Sequence, residues 1–254
     1  MLRAAMIRRA LPLLLLVPLA VACDKKTTSG GDAKPSSKDA KGKDAKGGQG
    51  DGEAGPGGGG VKAPARPQDL AEPAAIGKPA PDFALPDLGG TVHTLGQFKG
   101  KTVVLEWFNP ECPFVNYAHN EGGPLAKMAA EEKPNGVVWL AINSGAPGMQ
   151  GHDPEVNKTK AKEFAIAHAI LRDPDGVVGR LYGAQKTPHM YVIDEAGVLQ
   201  YAGGIDNAPM GEVDGDDPET NYVAAALADL RAGKPVATPE AKPWGCTVKY
   251  AKKG

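Results

Sequence analysis

From residue 76 onward, apolar positions gather in short runs separated by polar and Gly/Pro-rich stretches. Thr102–Phe108 (TVVLEWF) is apolar almost throughout rather than alternating, which predicts a central strand buried on both faces. Val137–Asn143 is a second such strand. Met190–Ile193 and Val198–Tyr201 are shorter strands, joined by the turn Asp194-Glu195-Ala196-Gly197. Earlier, Phe83–Leu85 and Thr91–Thr94 flank Gly89-Gly90 and read as a hairpin, followed by a helical turn at Leu95–Phe98. Leu171 marks another short strand. Helices are expected at Phe114–Ala130, Lys158–His168, Val177–Tyr182 and Tyr222–Arg231. The tail, AGKPVATPEAKPWGCTVKYAKKG, shows no period until its end. This alternation predicts an α/β fold: a mixed central sheet with helices on both faces and an N-terminal hairpin extension. No internal repeat is visible.

The first quarter has a different character. Arg3, Arg8 and Arg9 precede an apolar run from Leu11 to Ala22 that contains Pro12 and Pro18 and is too short to span a bilayer. The run ends in L-A-V-A-C, which resembles a bacterial lipobox with Ala20 where Leu is commonest. Cleavage before Cys23 would leave that cysteine to be lipidated. The alternative is an ordinary secretory signal. From Asp24 to about Ala75 the chain is Gly, Lys, Asp, Ala, Ser and Pro without an aromatic residue, so it cannot bury enough apolar surface to offset its ordering entropy. The expected organisation is a signal peptide at 1–22, a disordered tether at 23–75 and one domain at 76–254, exported and facing the periplasm or cell exterior. Lys and Asp nearly cancel in the tether, so it is not a polybasic lipid-binding segment. The whole chain of 254 residues has 29 Lys and Arg against 30 Asp and Glu, which excludes nucleic acid as an expected partner.

Three cysteines remain to be explained: Cys23, Cys112 and Cys246. If lipid takes Cys23, two thiols are left in an exported domain, where disulfides persist. Cys112 stands between a buried strand and a helix, where unpaired N–H groups and the helix dipole favour the thiolate. Pro113 suits the first helical turn. Glu111 would raise the thiol pKa if it pointed inward. The polar and turn-forming neighbours Asn109, Pro110 and Glu111 predict an exposed, reactive thiol; the alternative is an inert core cysteine. Thr187-Pro188, before the strand Met190–Ile193, is a candidate cis peptide, the alternative being a trans proline that starts an edge strand. Ser144–Asn157 reads as a lid or a mobile loop, and Glu212–Thr220 as a solvated acidic loop without the EF-hand pattern.

Taken together, GKPAPDFALPD, VVLEWFNPECPFV, VVWLAINS, KTPHMYVIDEAGVLQYAGGID and AGKPVATPEAKPWGCTVKY resemble the thioredoxin-like superfamily. Within it they are similar to the redoxin group related to alkyl hydroperoxide reductase and thiol-specific antioxidant proteins. The resemblance spans nearly all of residues 76–250. A single-cysteine branch of that group carries N-x-C-P-(F/Y)-V in place of C-x-x-C and a late Gly-Cys, resembled here by Asn109–Val115 and Gly245-Cys246. The resemblance implies a thioredoxin-like fold, Cys112 as nucleophile, and Thr187, Pro188, Glu111 and Pro113 as substrate-binding positions. It also implies no cofactor. Val115 replaces the resolving cysteine of thioredoxins. Asn109 and Leu105 replace the Thr and Pro of the peroxiredoxin pattern P-x-x-x-T-x-x-C, which counts against a fast peroxidase. A copper-binding relative would need C-x-x-x-C, whereas Asn116 stands there, so no metal site is expected. His119 reads as a surface or satisfied residue, and of the histidines at 119, 152, 168 and 189, His189 is the best placed to face the thiol.

Cys246 has three readings: a resolving thiol for Cys112, half of a structural disulfide contributing roughly 4 kcal/mol by loop entropy, or a separate free thiol. The expected function is a thiol–disulfide or antioxidant oxidoreductase acting through Cys112. Its partners are a thiol- or disulfide-bearing protein or a small oxidant, an external reductant, and membrane lipid through Cys23. The alternatives are a cysteine-dependent hydroperoxide reductase and a non-catalytic binding module.

Overall fold

The computed structural model describes residues 65–252. The signal, Cys23 and most of the expected tether lie outside the described residues. A hairpin of β1 (Ala84–Pro86) and β2 (Val92–Thr94) is closed by Asp87, whose Oδ1 accepts from the N–H groups of Gly89 and Thr91. Next come β3 (Val103–Trp107), α1 (Pro113–His119), α2 (Met128–Glu132) and β4 (Val138–Asn143). These are followed by α3 (Pro154–Glu163), β5 (Ala169–Arg172), α4 (Val177–Leu181), β6 (Lys186–Thr187), β7 (His189–Ile193) and β8 (Leu199–Gly203). The chain ends with α5 (Tyr222–Arg231) and β9 (Cys246–Thr247). Among the described residues no helix is long and apolar enough to cross a membrane.

The central sheet runs β5-β4-β3-β7-β8, parallel across its first three strands and antiparallel beyond β3. The continuous apolar run of β3 resolves into two faces with period two. Val103, Leu105 and Trp107 pack with the hairpin residues Phe83 and Leu85 and with Val178 and Tyr182 near α4. Val104 packs with Ala118 of α1 and Val223, Ala226 and Leu227 of α5. Each fully buried aliphatic side chain of this kind contributes roughly 1.5–3 kcal/mol. The result is the mixed α/β sheet with helices on both faces expected of a thioredoxin-like fold.

Local chemistry moves several boundaries. The expected helix Phe114–Ala130 is two pieces. α1 stops at His119 because Asn120 turns to extended backbone and Gly122 takes a φ of 83°. A Cβ at Gly123 would collide with the carbonyls of Tyr117 and Ala118. Pro124 then ends any continuation. The expected helix Lys158–His168 starts and ends earlier: Asp153 caps it by accepting from Glu155 N–H at 2.8 Å, and Pro154 takes the first helical position. At the other end Ala165 has a φ of 52°.

The domain also begins before the expected boundary at Ile76. Gln68 is buried and exchanges hydrogen bonds with Ala84, Ala74 N–H donates to Leu181 O at 2.9 Å, and Arg66 pairs with Asp175 at 2.9 Å.

The tail is the largest departure from the sequence pattern. After α5 it runs as a strap along the sheet. Ala202 N–H donates to Pro239 O, and Trp244 Nε1–H donates to Asp206 O at 3.0 Å. β9 pairs antiparallel with β6, with Thr187 opposite Cys246. Beyond it Ala146 N–H donates to Lys249 O, and the Tyr250 hydroxyl donates to Ala184 O at 2.8 Å. Backbone pairing and two aromatic anchors hold this strap without any periodic apolar signal.

One charged residue breaks the β3 run. Glu106 is fully buried; its Oε1 meets His119 Nε2 at 2.7 Å and its Oε2 accepts from Trp139 Nε1–H at 3.2 Å. Burial alone would raise its pKa, yet the field and hydrogen bond of His119 hold it below the usual carboxylate range. His119 is therefore a satisfied core residue, stacked on Phe164 at 5.5 Å.

Candidate active site

The junction after β3 is built by side chain–backbone bonds. Asn109 Oδ1 accepts from Glu111 N–H at 2.9 Å, and Cys112 N–H donates to Asn109 O. This tight turn delivers Cys112 to the N-cap of α1 with extended backbone, and Pro113 follows where no N–H is needed. Asn116 Nδ2 donates to the carbonyls of Pro110 and Cys112, fixing the turn from below.

The thiol is not exposed, contrary to the expectation from its polar neighbours. Cys112 has 0% exposure. It packs against Phe108, Val115, Ala141, Phe164 and Ile170, with Cys246 on the edge of the same cluster. The strap covers it. Cys112 Sγ–H donates to Thr187 O at 3.1 Å, and the peptide from Thr187 to Pro188 is cis, as the sequence suggested. Because Thr187 and Cys246 are register partners, the second sulfur arrives beside the first. The two thiols are free, Cys112 buried and Cys246 partly exposed.

The electrostatics separate the two sulfurs. Burial pushes Cys112 up, but the Cys246 thiol, the Thr187 hydroxyl and the N–H groups of Val115 and Cys246 together bring it below the ordinary thiol value. Thr187 Oγ1 is buried without a partner while Cys112 is a thiol, and becomes a donor to the sulfur once Cys112 ionises. Burial and the adjacent Cys112 push Cys246 to about 11. One thiolate is thus stabilised by donors around it, and its neighbour keeps its proton.

The other expected positions fall as follows. Glu111 does not face the sulfur. Its carboxylate accepts from Gly151 N–H and its carbonyl from Gln150 Nε2–H, so it ties down the loop Ser144–Asn157. That loop is braced again by Asn143 and Asn157, which both donate to Gly151 O at 2.8 Å. It forms a fixed wall beside the junction. Pro113 serves the helix start. Phe114 reaches outward to Trp244, with ring centroids 5.9 Å apart. Among the described residues no cluster of three metal-ligating side chains occurs. A cavity of about 660 Å³ lies elsewhere, between Leu125, Val137, Phe164 and His168, and includes neither cysteine.

His189 does not face the thiol. Its Nδ1 accepts from Gln185 N–H at 3.3 Å and meets the Tyr191 hydroxyl at 3.1 Å. Burial pushes its pKa down to about 4. The folded state therefore takes up this proton less readily than the unfolded chain, whose histidines titrate near 6.5. The stability is present above pH 6.5 and lost as pH falls toward 4. His168 shifts the same way, to about 4, whereas burial raises Asp173 to about 7 and opposes both over the acid range. A variant isolates the His189 share: in urea unfolding, the loss between pH 7 and pH 4.5 is expected to be smaller in His189→Gln than in wild type by about 2 kcal/mol.

Sequence reasoning missed Trp244 and Tyr250, and took Gly245 only as part of the late Gly-Cys pair. Gly245 makes the close approach at the site itself: its φ is 124°, and a Cβ there would strike Thr187 O and come within 3.2 Å of Pro188 N. The dipeptide Trp-Gly before a late cysteine, in a tail poor in apolar residues, was the available signal.

The AhpC/TSA family model matches residues 76–202, which include Cys112, Thr187 and Pro188 but not Cys246. The chain is 32% identical over 134 residues to the thiol-disulfide oxidoreductase ResA of Geobacillus thermodenitrificans (strain NG80-2), covering 50% of this chain and 67% of that protein. It is 28% identical over 131 residues to the chloroplastic peroxiredoxin Q of Populus jackii, covering 49% and 57%. Among solved structures, an uncharacterized conserved protein from Geobacillus kaustophilus aligns with a TM-score of 0.61 at 30% identity, covering 71% of this chain and 94% of that one. A hypothetical protein from Sinorhizobium meliloti 1021 aligns with a TM-score of 0.60 at 28% identity, covering 70% and 96%. With half of its length matched by one family and its relatives drawn from both thiol-exchange and peroxide chemistry, the chain belongs to the AhpC/TSA family of thiol-dependent oxidoreductases.

Proposed function

We propose that the protein is an exported, membrane-tethered thiol–disulfide and antioxidant oxidoreductase whose redox couple is Cys112 and Cys246. The observation that carries this reading is the register of β6 and β9, which sets Cys246 against Cys112 with no movement of the tail. Cys112 is the nucleophile and Cys246 the resolving thiol; Thr187 supplies a carbonyl and a hydroxyl to the sulfur, and Pro188 holds that backbone in place.

With a disulfide substrate, the Cys112 thiolate attacks one sulfur and the other leaves as a thiolate. Cys246 then attacks the mixed disulfide, closing the Cys112–Cys246 bond and releasing the second substrate thiol. With a hydroperoxide, the thiolate attacks the distal oxygen, the O–O bond breaks and an alcohol leaves with a proton. The sulfenic acid formed on Cys112 is attacked by Cys246, and the hydroxide departs as water with the Cys246 proton. Either cycle takes two electrons from the pair. An external dithiol restores them by attacking the partly exposed Cys246 and expelling Cys112 as a thiolate, which the Thr187 hydroxyl and the N–H groups of Val115 and Cys246 stabilise. The hydroperoxide cycle is favoured as a second reading by the complete burial of Cys112, which leaves little room for a bulky disulfide.

Export and anchoring rest on the basic start, the apolar run and L-A-V-A-C ending at Cys23. Metabolic labelling with palmitate, lost in Cys23→Ser, checks the anchor. The enzymatic reading is tested by supplying the reduced protein with excess dithiothreitol and either hydrogen peroxide or a low-molecular-weight disulfide. Protein-dependent turnover of one of them supports it. Turnover of neither, with Cys112 unreactive, would leave a non-catalytic binding module.

A further inference from the structure

The strap does more than deliver Cys246. Its backbone occupies the whole edge of β6, pairing Lys186 with Thr247 and Thr187 with Cys246. Gly245 lies against Thr187 O and Pro188 N so closely that no side chain fits between them. Trp244 pins the upstream end through Asp206 and packs on Phe114 at the rim of the junction. Tyr250 and Lys249 pin the downstream end on Ala184 and Ala146. Cys112 is at 0% exposure beneath this cover, while Cys246 keeps part of its surface in solvent.

Two motions of unequal difficulty would uncover Cys112. Rotation of the Cys246 side chain, which lies against Cys112, would open a gap of atomic size and leave the backbone pairing intact; side-chain rotations are fast. Admitting a disulfide carried on a polypeptide requires the strap backbone to leave β6 and its anchors. We propose that Trp244 and Gly245 are specificity-determining residues: by holding the strap on β6 they open Cys112 to oxidants the size of a hydroperoxide and close it to protein disulfides. This rests on the Cys112–Cys246 couple and narrows its oxidant. In the permitted reaction the O–O bond of the small oxidant breaks on the Cys112 thiolate and the alcohol or water leaves. In the excluded one the same thiolate would break an S–S bond and release a protein thiolate.

The test compares oxidation of the reduced full chain by hydrogen peroxide and by insulin, quenching with an alkylating agent and counting free thiols by mass. Wild type is expected to react with peroxide and resist insulin. Trp244→Ala and Gly245→Ala are each expected to raise the insulin rate relative to the peroxide rate by at least about tenfold, because the strap detaches more often. The two variants loosen it by different routes, so a folding failure in one leaves the other to decide. Equal rates of insulin and peroxide oxidation in wild type, or an unmoved ratio in the folded variants, would overturn the proposal. Loss of the Cys112 thiol without a Cys112–Cys246 disulfide would overturn the couple alone, since the ratio still reads the strap.

Discussion

Replacing Cys112 with serine is expected to abolish turnover, lowering it by at least about a thousandfold, because a serine hydroxyl at this site has no base beside it and ionises far above neutral pH. The structure makes this a specific expectation. Every donor that lowers the Cys112 pKa converges on one sulfur: the Cys246 thiol, the Thr187 hydroxyl and two backbone N–H groups. Cys246 cannot take over. Burial and its neighbour hold its pKa at about 11, and removing Cys112 relieves only the neighbour's part. The variant should fold normally, since a serine Oγ can keep the bond to Thr187 O. Steady-state oxidation of dithiothreitol by peroxide or disulfide, measured beside thermal unfolding, separates loss of chemistry from loss of fold.

Cys246→Ala is expected to show the second largest effect, a fall in steady-state turnover of roughly a hundredfold at modest external thiol. In the proposed couple Cys246 resolves Cys112 as an intramolecular neighbour; without it, resolution would wait for a collision with a free thiol. The same variant should raise the Cys112 pKa, because it removes the side-chain hydrogen bond that lowers it. Each oxidant equivalent should then consume one thiol, and peroxide in excess should drive Cys112 on to sulfinic acid. A pH profile of alkylation by iodoacetamide reads the pKa. Turnover rescued by raising the external thiol would show that resolution alone was lost.

Much of this molecule is legible one segment at a time. The strands around Val104, Leu140 and Val192 announce themselves as apolar runs, and Cys112 and Thr187-Pro188 are found by their place at strand ends. What a single segment carries, the sequence shows. The features it conceals depend on contacts far apart in the chain. Glu106 looks like a stray charge until His119 is placed over it by the return of α1. Glu111 looks like a neighbour of the thiol until Gly151 supplies a donor on its other side. The expected exposure of Cys112 failed for the same reason: its cover comes from a tail held by a two-residue ladder, too short to leave a pattern. The long helix expected after Cys112 failed locally, where Gly122, Gly123 and Pro124 outweigh the helix formers that follow.

The site is consequently a pair of thiols from opposite ends of one domain, meeting at a backbone ladder. Thr187 links them, accepting from one cysteine and standing in register with the other. The direct measurement is peptide mapping by mass spectrometry after the reduced protein meets one equivalent of hydrogen peroxide. The expected result is loss of two thiols and a single linked peptide pair joining Cys112 to Cys246, reversed by dithiothreitol. Sulfinic acid on Cys112 with Cys246 still free, or a disulfide formed only between two protein chains, would contradict it.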